Sequence, residues 1–244
     1  MEKFMETTEQ AGHARELKRL ADNHDVFKDA MGGLLLVPVD LSKPGLRILD
    51  SATADGTWLR DLQSSIPTSV DRTYIGTDIE PELFPSQLPA GMTLPAQDVT
   101  KPWPADWQNS FDLVHQRLGL AGSGPTPIPD VVTNLIRLVK PGGWIELVEL
   151  DIDEPQDAGP ALHKFIRLLR EIFTLAGMGG NFASKMRGWL EAAGLEQVEA
   201  RFVDGKAGVR NPKPELVGKS INGSCDAIDP LVAMAKSNSM SATA

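Results

Sequence analysis

A chain of 244 residues with 41% hydrophobic and 23% charged residues is long enough to bury one α/β core, and its single cysteine, Cys225, rules out an internal disulfide. The formal charge of -9, with no run of Lys and Arg, argues against a sequence-independent grip on nucleic-acid phosphates. The longest apolar run, Gly32 to Val39, is too short to cross a bilayer, and the acidic start MEKFMETTEQ carries no signal-peptide pattern, so a cytoplasmic protein is expected.

Residues 1–12 are polar and expected to be flexible. From His13 to Met31 the apolar residues Leu17, Leu20, Ala21, Val26, Phe27 and Ala30 recur at three- and four-residue steps. That spacing predicts a helix, interrupted at Asn23 and ended by Gly32 and Gly33. Pro44-Gly45 turns the chain into a first strand, Leu46 to Leu49, which stops at Asp50. The loop from Ser51 to Gly56 leads to a helix from Trp58 to Ile66. A second strand, Thr73 to Thr77, again stops at an aspartate, Asp78. Met92 to Pro95 reads as a third strand before Gln97 and Asp98, and Phe111 to Val114 as a fourth before His115, Gln116 and Arg117. A helix from Val131 to Val139, the turn Pro141-Gly142-Gly143 and a fifth strand, Trp144 to Leu150, follow.

This strand–loop–helix rhythm predicts an α/β fold with a Rossmann-like, doubly wound, mostly parallel sheet. Ligands of such sheets sit beyond the carboxyl ends of the strands, which is where the polar residues just named fall. After Leu150 the pattern becomes a helical insertion: Ala161 to Ala176 is amphipathic, and Phe182 to Ala193 is followed by Gly194 as a C-terminal cap. Val198 to Val203 alternates like a strand, but no second strand of a closing hairpin is legible after it. Residues 13–236 read as a single domain with N-terminal helices and helical cap elements, and 237–244 as a disordered tail.

The loop from Asp50 to Trp58 brings small residues, Ala52, Ala54 and Gly56, between a strand and a helix N-terminus, which lets the backbone approach a ligand closely. Asp50 suits a cationic ammonium group, and also reads as an ordinary capping aspartate. Asp78 follows the small-residue loop by about 20 residues, the distance at which a carboxylate binds ribose hydroxyls in dinucleotide folds. Its alternative is a solvated strand end. Gln97, Asp98 and Val99 suit an adenine ring and its amine, or simply cap a loop. His115 reads either as a base near neutral pH or as a structural histidine.

Taken together, these segments resemble the class I S-adenosylmethionine (SAM) dependent methyltransferases, closest to the fungal secondary-metabolism, LaeA-like branch. The residues that carry the resemblance are Arg19-Leu20 with Asn23-His24, the loop from Leu49-Asp50 to Trp58, Ile75-Gly76-Thr77-Asp78, Phe111 through Arg117, and Leu138 through Glu146. The resemblance implies SAM as cofactor and a small-molecule acceptor methylated at O, N or S. It implies that Asp50, Ala52 and the loop to Gly56 hold the methionine end, that Asp78 binds the ribose with Ile79 beside the adenine, and that Gln97, Asp98 and Val99 meet the base. His115 and Gln116 would line the cleft near the sulfonium, His115 as the catalytic candidate, and no metal is required. The same resemblance leaves room for a non-catalytic regulator or a SAM-binding protein of other chemistry, and for a homodimer or protein partner. No nucleic acid or membrane is expected as a partner.

Two departures from the family pattern stand out. Ala52 and Ala54 occupy positions that are usually glycine, and alanine costs about 1–2 kcal/mol wherever the backbone is left-handed. The family's last antiparallel strand is expected to be missing here.

Overall fold

Ile48 and Leu49 are neighbours on the first strand, point to opposite faces and are both fully buried. A strand covered on both faces belongs in the interior of a parallel sheet. In the computed structural model, which describes residues 2–67, 71–153, 159–228 and 231–232, with side chains from Gly12 onward, that strand is β1 (Leu46–Ser51). It pairs with β2 (Arg72–Thr77) on one side and β4 (Phe111–Arg117) on the other. β3 (Met92–Thr93) and β5 (Val139–Val148) complete an all-parallel sheet of order β3-β2-β1-β4-β5. The order reverses between β1 and β4, which makes their carboxyl ends the expected ligand crevice. The tail 237–244 lies outside the described residues.

Alternation along the strands builds two cores. Ile48, Tyr74 and Leu113 face Trp58, Leu59 and Leu62 of α2 (Thr57–Ser64). Leu49, Ile75 and Val114 face Val131, Val132 and Leu135 of α3 (Ile128–Ile136), with Leu169, Ile172 and Phe173 of α4 (Pro160–Leu175) in the same cluster. A short α5 (Met186–Ala192) follows and is closed by Gly194 at φ 82°.

Several boundaries differ from the sequence expectation for identifiable reasons. α1 (Glu2–Met31) begins at Glu2 and runs unbroken past Asn23. Its polar start is rich in Glu, Lys and Gln, which are strong helix formers. Asn23 packs against Gly223 of α6 (Pro214–Asp226), where an added Cβ would collide with its side chain. β4 continues through His115, Gln116 and Arg117 because the first two pair with both β1 and β5 and Arg117 pairs with Val148 of β5. The Lys-Pro-Gly-Gly segment lies inside β5 as a bulge: Phe111 pairs with Val139, then Leu113 with Trp144. Gly143 is required there, since a Cβ would lie 2.9 Å from the Phe111 carbonyl oxygen.

Val198 to Val203, expected as a strand, is not one; Phe202 is 76% exposed. An alternating segment holds strand geometry only against a partner, and among the described residues no hairpin mate exists to supply one. α6 instead packs along α1, fastened by ion pairs between Arg15 and Asp226 (2.7 Å), Asp25 and Lys219, and Asp29 and Lys213. No helix among the described residues is long and apolar enough to cross a membrane.

Candidate active site

The loop after β1 is stitched to the strand tips on both sides. Asp50 accepts a hydrogen bond from the Thr53 hydroxyl (2.6 Å) and meets His115 Nδ1 at 2.7 Å. Thr53 N–H donates to the Thr77 carbonyl (2.9 Å), and Ala54 N–H donates to the Asp78 carboxylate (2.7 Å). Asp50 and Asp78 therefore sit at neighbouring strand tips on one edge of the sheet. Ala52 (φ 54°), Ala54 (φ 53°) and Gly56 (φ 77°) are all left-handed, so the two alanines carry the strain that glycine would avoid. Gly76 leaves room for this loop, because a Cβ there would lie 2.8 Å from the Thr53 side chain.

Asp78 is half-buried; its second oxygen accepts from Glu80 N–H (3.1 Å), and its carboxylate keeps lone pairs for further donors. Ile79 beside it is 64% exposed. Gln97 reaches this edge through its backbone, donating to the Asp78 carbonyl (2.9 Å), while its side-chain amide donates to the Asp98 carbonyl (2.8 Å). Asp98 accepts from the hydroxyl and N–H of Thr100, which hold its carboxyl below the usual range. Val99 packs on the α3 face of the core.

His115 and Gln116 are brought to the same strand end but not to the same place, since alternation along β4 sends them to opposite faces. His115 is 1% exposed and lies against the Trp58 indole, with ring centroids 3.8 Å apart and planes 1° from parallel. It lies level with Asp50, its register partner on β1. Gln116 is equally buried, and both atoms of its amide are without a partner among the described residues. It packs beside Gly119, where a Cβ would lie 2.6 Å from the Ala52 Cβ and 2.9 Å from Gln116 Cδ.

Four residues that sequence reasoning did not place in the site hold its surroundings. Arg117 donates to His24 Nδ1 (3.1 Å) and lies 5.6 Å from the Phe27 ring, so α1 closes over the end of β4. His24 Nε2 in turn meets Asp61 of α2 (2.8 Å), which also pairs with Lys28 (2.6 Å); burial holds the His24 imidazole below its ordinary range. Glu146 on β5 accepts from the N–H groups of Leu36 (2.7 Å) and Val37 (3.1 Å), the linker between α1 and β1. Glu149, just past β5, accepts from Leu120 N–H (2.8 Å), and burial pushes its carboxyl up to about 8. The one sequence signal for Glu149 is its place at the end of an apolar strand; Arg117 stands out at the end of the fourth strand and His24 in the Asn23-His24 motif, but their meeting across 93 positions is not legible.

An all-parallel sheet of order β3-β2-β1-β4-β5, with its first loop fastened to a carboxylate at the tip of the second strand, is a Rossmann-like architecture, in which ligands sit beyond the carboxyl ends of the strands. The chain is 44% identical over 237 residues to methyltransferase psoC of Aspergillus fumigatus, spanning 97% of this chain and 86% of that protein. It is 44% identical over 200 residues to N-methyltransferase sirN of Leptosphaeria maculans (80% and 69% of the two chains). It is 34% identical over 207 residues to N-methyltransferase gliN of Aspergillus fumigatus (83% and 72%). No family model matches the chain. The chain belongs to this family of fungal secondary-metabolism methyltransferases.

Proposed function

We propose that this enzyme uses SAM to methylate a nitrogen atom of a small-molecule acceptor. The observation that carries the cofactor half of this reading is the Asp78 carboxylate bonded to Ala54 N–H. It fixes an acidic group beside a close-approaching backbone loop at the switch point of the sheet. The surroundings fit the cofactor. Asp78 retains acceptor capacity for ribose hydroxyls, Ile79 offers an exposed apolar surface for a base, and Gln116 presents an unpartnered amide next to the loop. When bound, SAM supplies a methyl group on a positively charged sulfur. The nitrogen half rests on relatives named as N-methyltransferases.

Each oxygen of Asp50 takes one partner within the protein, Thr53 or His115, so its part includes holding the loop. His115, stacked on the Trp58 indole, positions Asp50 and does not face the acceptor. The group suited to exchange a proton with an acceptor amine is Glu149, because its raised carboxyl titrates near neutral pH at the tip of β5. α1, through His24 and Phe27 on Arg117, excludes water from that side.

Isothermal titration calorimetry with SAM, followed by detection of S-adenosylhomocysteine during turnover with amine acceptors, tests this reading. Binding without turnover on any amine, with turnover on a thiol or hydroxyl, overturns the nitrogen half. Absence of SAM binding overturns the whole.

A further inference from the structure

Gly76, Asp50, His115 and Glu146 are register partners across β2, β1, β4 and β5, so they form one row at one level of the sheet. Register partners in a parallel sheet point to the same face, and adjacent strands lie about 4.8 Å apart. β4 runs between β1 and β5. His115 Nδ1 is turned to Asp50 on β1, and the register partner of His115 on its other side is Glu146 of β5. His115 Nε2 and Glu146 Oε1 are both buried, and both are without a partner among the described residues. The same spot is roofed by the linker from Leu34 to Val37: Trp58 Nε1, from the ring stacked on His115, donates to the Leu34 carbonyl (3.1 Å), and Glu146 Oε2 takes the Leu36 and Val37 N–H groups.

The chemistry of this pair is restrictive. In the tautomer that donates Nδ1–H to the Asp50 carboxylate, Nε2 offers only a lone pair, and a carboxylate oxygen accepts. Two buried acceptors side by side on neighbouring strands are both satisfied by one group with two protons to give. His115 and Glu146 are 1% and 6% exposed, so that group must be small enough to be enclosed. We propose that one internal water bridges His115 Nε2 and Glu146 Oε1. It completes a polar row from Thr53 through Asp50 and His115 to Glu146 and the Leu36–Val37 linker. Glu146 is then a positioning residue: it sets the cofactor loop from two strands away, and couples that loop to the roof over the sheet.

The consequence for SAM affinity rests on the function proposed above; the water itself does not. In a high-resolution crystal structure of the whole chain, the expected result is an ordered water at about 2.7–3.2 Å from both atoms. A direct Nε2–Oε1 contact, or another side chain between them, overturns the proposal. The second arm is a double-mutant cycle read as the SAM dissociation constant. Glu146→Leu and His115→Phe each weaken binding about tenfold, and the double variant is no weaker than the poorer single one. Glu146→Gln, whose amide keeps an acceptor for the linker and offers N–H toward Nε2, restores affinity to within about threefold and covers the case in which Glu146→Leu does not fold. Effects that multiply in the double variant, or a Glu146→Leu protein with unchanged affinity, overturn the coupling. Failure of the wild-type chain to bind SAM would count against the proposed function, while the crystallographic arm still decides on the water.

Discussion

Ala52 Cβ occupies the space that a side chain at Gly119 would need: a Cβ built on Gly119 would sit 2.6 Å from it. The loop after β1 and the turn after β4 are thus in backbone-level contact, with the Gln116 amide wedged beside them. Whatever moves one of these segments moves the other.

Gly119→Ala should therefore act through sterics alone, since φ at this residue is -97° and any residue adopts it. Overpacking costs about 1–3 kcal/mol, and the displaced loop should weaken SAM binding. Ala52→Gly in the same chain removes the nearest opposing atom and should recover part of both losses, the Gln116 side chain at 2.9 Å remaining in place. Urea denaturation and SAM titration of the single and double variants check this.

Ala52→Gly and Ala54→Gly should each stabilise the protein. Relief of a left-handed alanine is worth about 1–2 kcal/mol, and the added freedom of the unfolded chain returns about 0.4–1 kcal/mol. The expected net is about 0.5–1 kcal/mol per site, read as a rise in the urea midpoint at constant slope. A fall in the midpoint would show that the alanines are held without strain.

Asp78→Asn should weaken SAM binding by roughly ten- to a hundredfold, because a hydrogen bond to a charged group is worth about 1.5–3 kcal/mol. The Ala54 N–H can still find the amide oxygen, so stability should fall much less than affinity. Equal losses in both would make Asp78 a loop fastener alone.

Glu149 links pH to both stability and rate. Its folded value, about 8, lies above the ordinary 4.5, so the folded chain holds this proton more tightly than the unfolded chain does. The stability from this site is full below 4.5 and is lost as pH rises from 4.5 to about 8. Glu149→Gln should be more stable than wild type at pH 9 and should match it at acid pH. Turnover of the wild type on an amine should rise through pH 8, and the variant should lose that limb with a drop of about a hundredfold or more. A variant with wild-type turnover and pH profile would leave Glu149 only its bond to Leu120.

The strand tips are legible in the sequence because a parallel sheet places its polar residues directly after short apolar runs. Asp50 and Asp78 declare themselves by that rule. The division between His115 and Gln116 does not, because alternation says that neighbours point apart without saying which side is walled in. Trp58 and the Leu34–Val37 linker make that choice, and they come from elsewhere in the chain. The alternation at Val198 to Val203 misleads for a related reason: a strand needs a neighbour, and pattern alone cannot supply one. The start of α1 is a third case, where polarity hides good helix formers.

α6 grips α1 along its length, and α1 carries His24 to Arg117 at the end of β4. Lys219 pairs with Asp25, the residue after His24, so reversing the charge at Lys219 is expected to loosen α1 and with it the cover that His24 makes over Arg117.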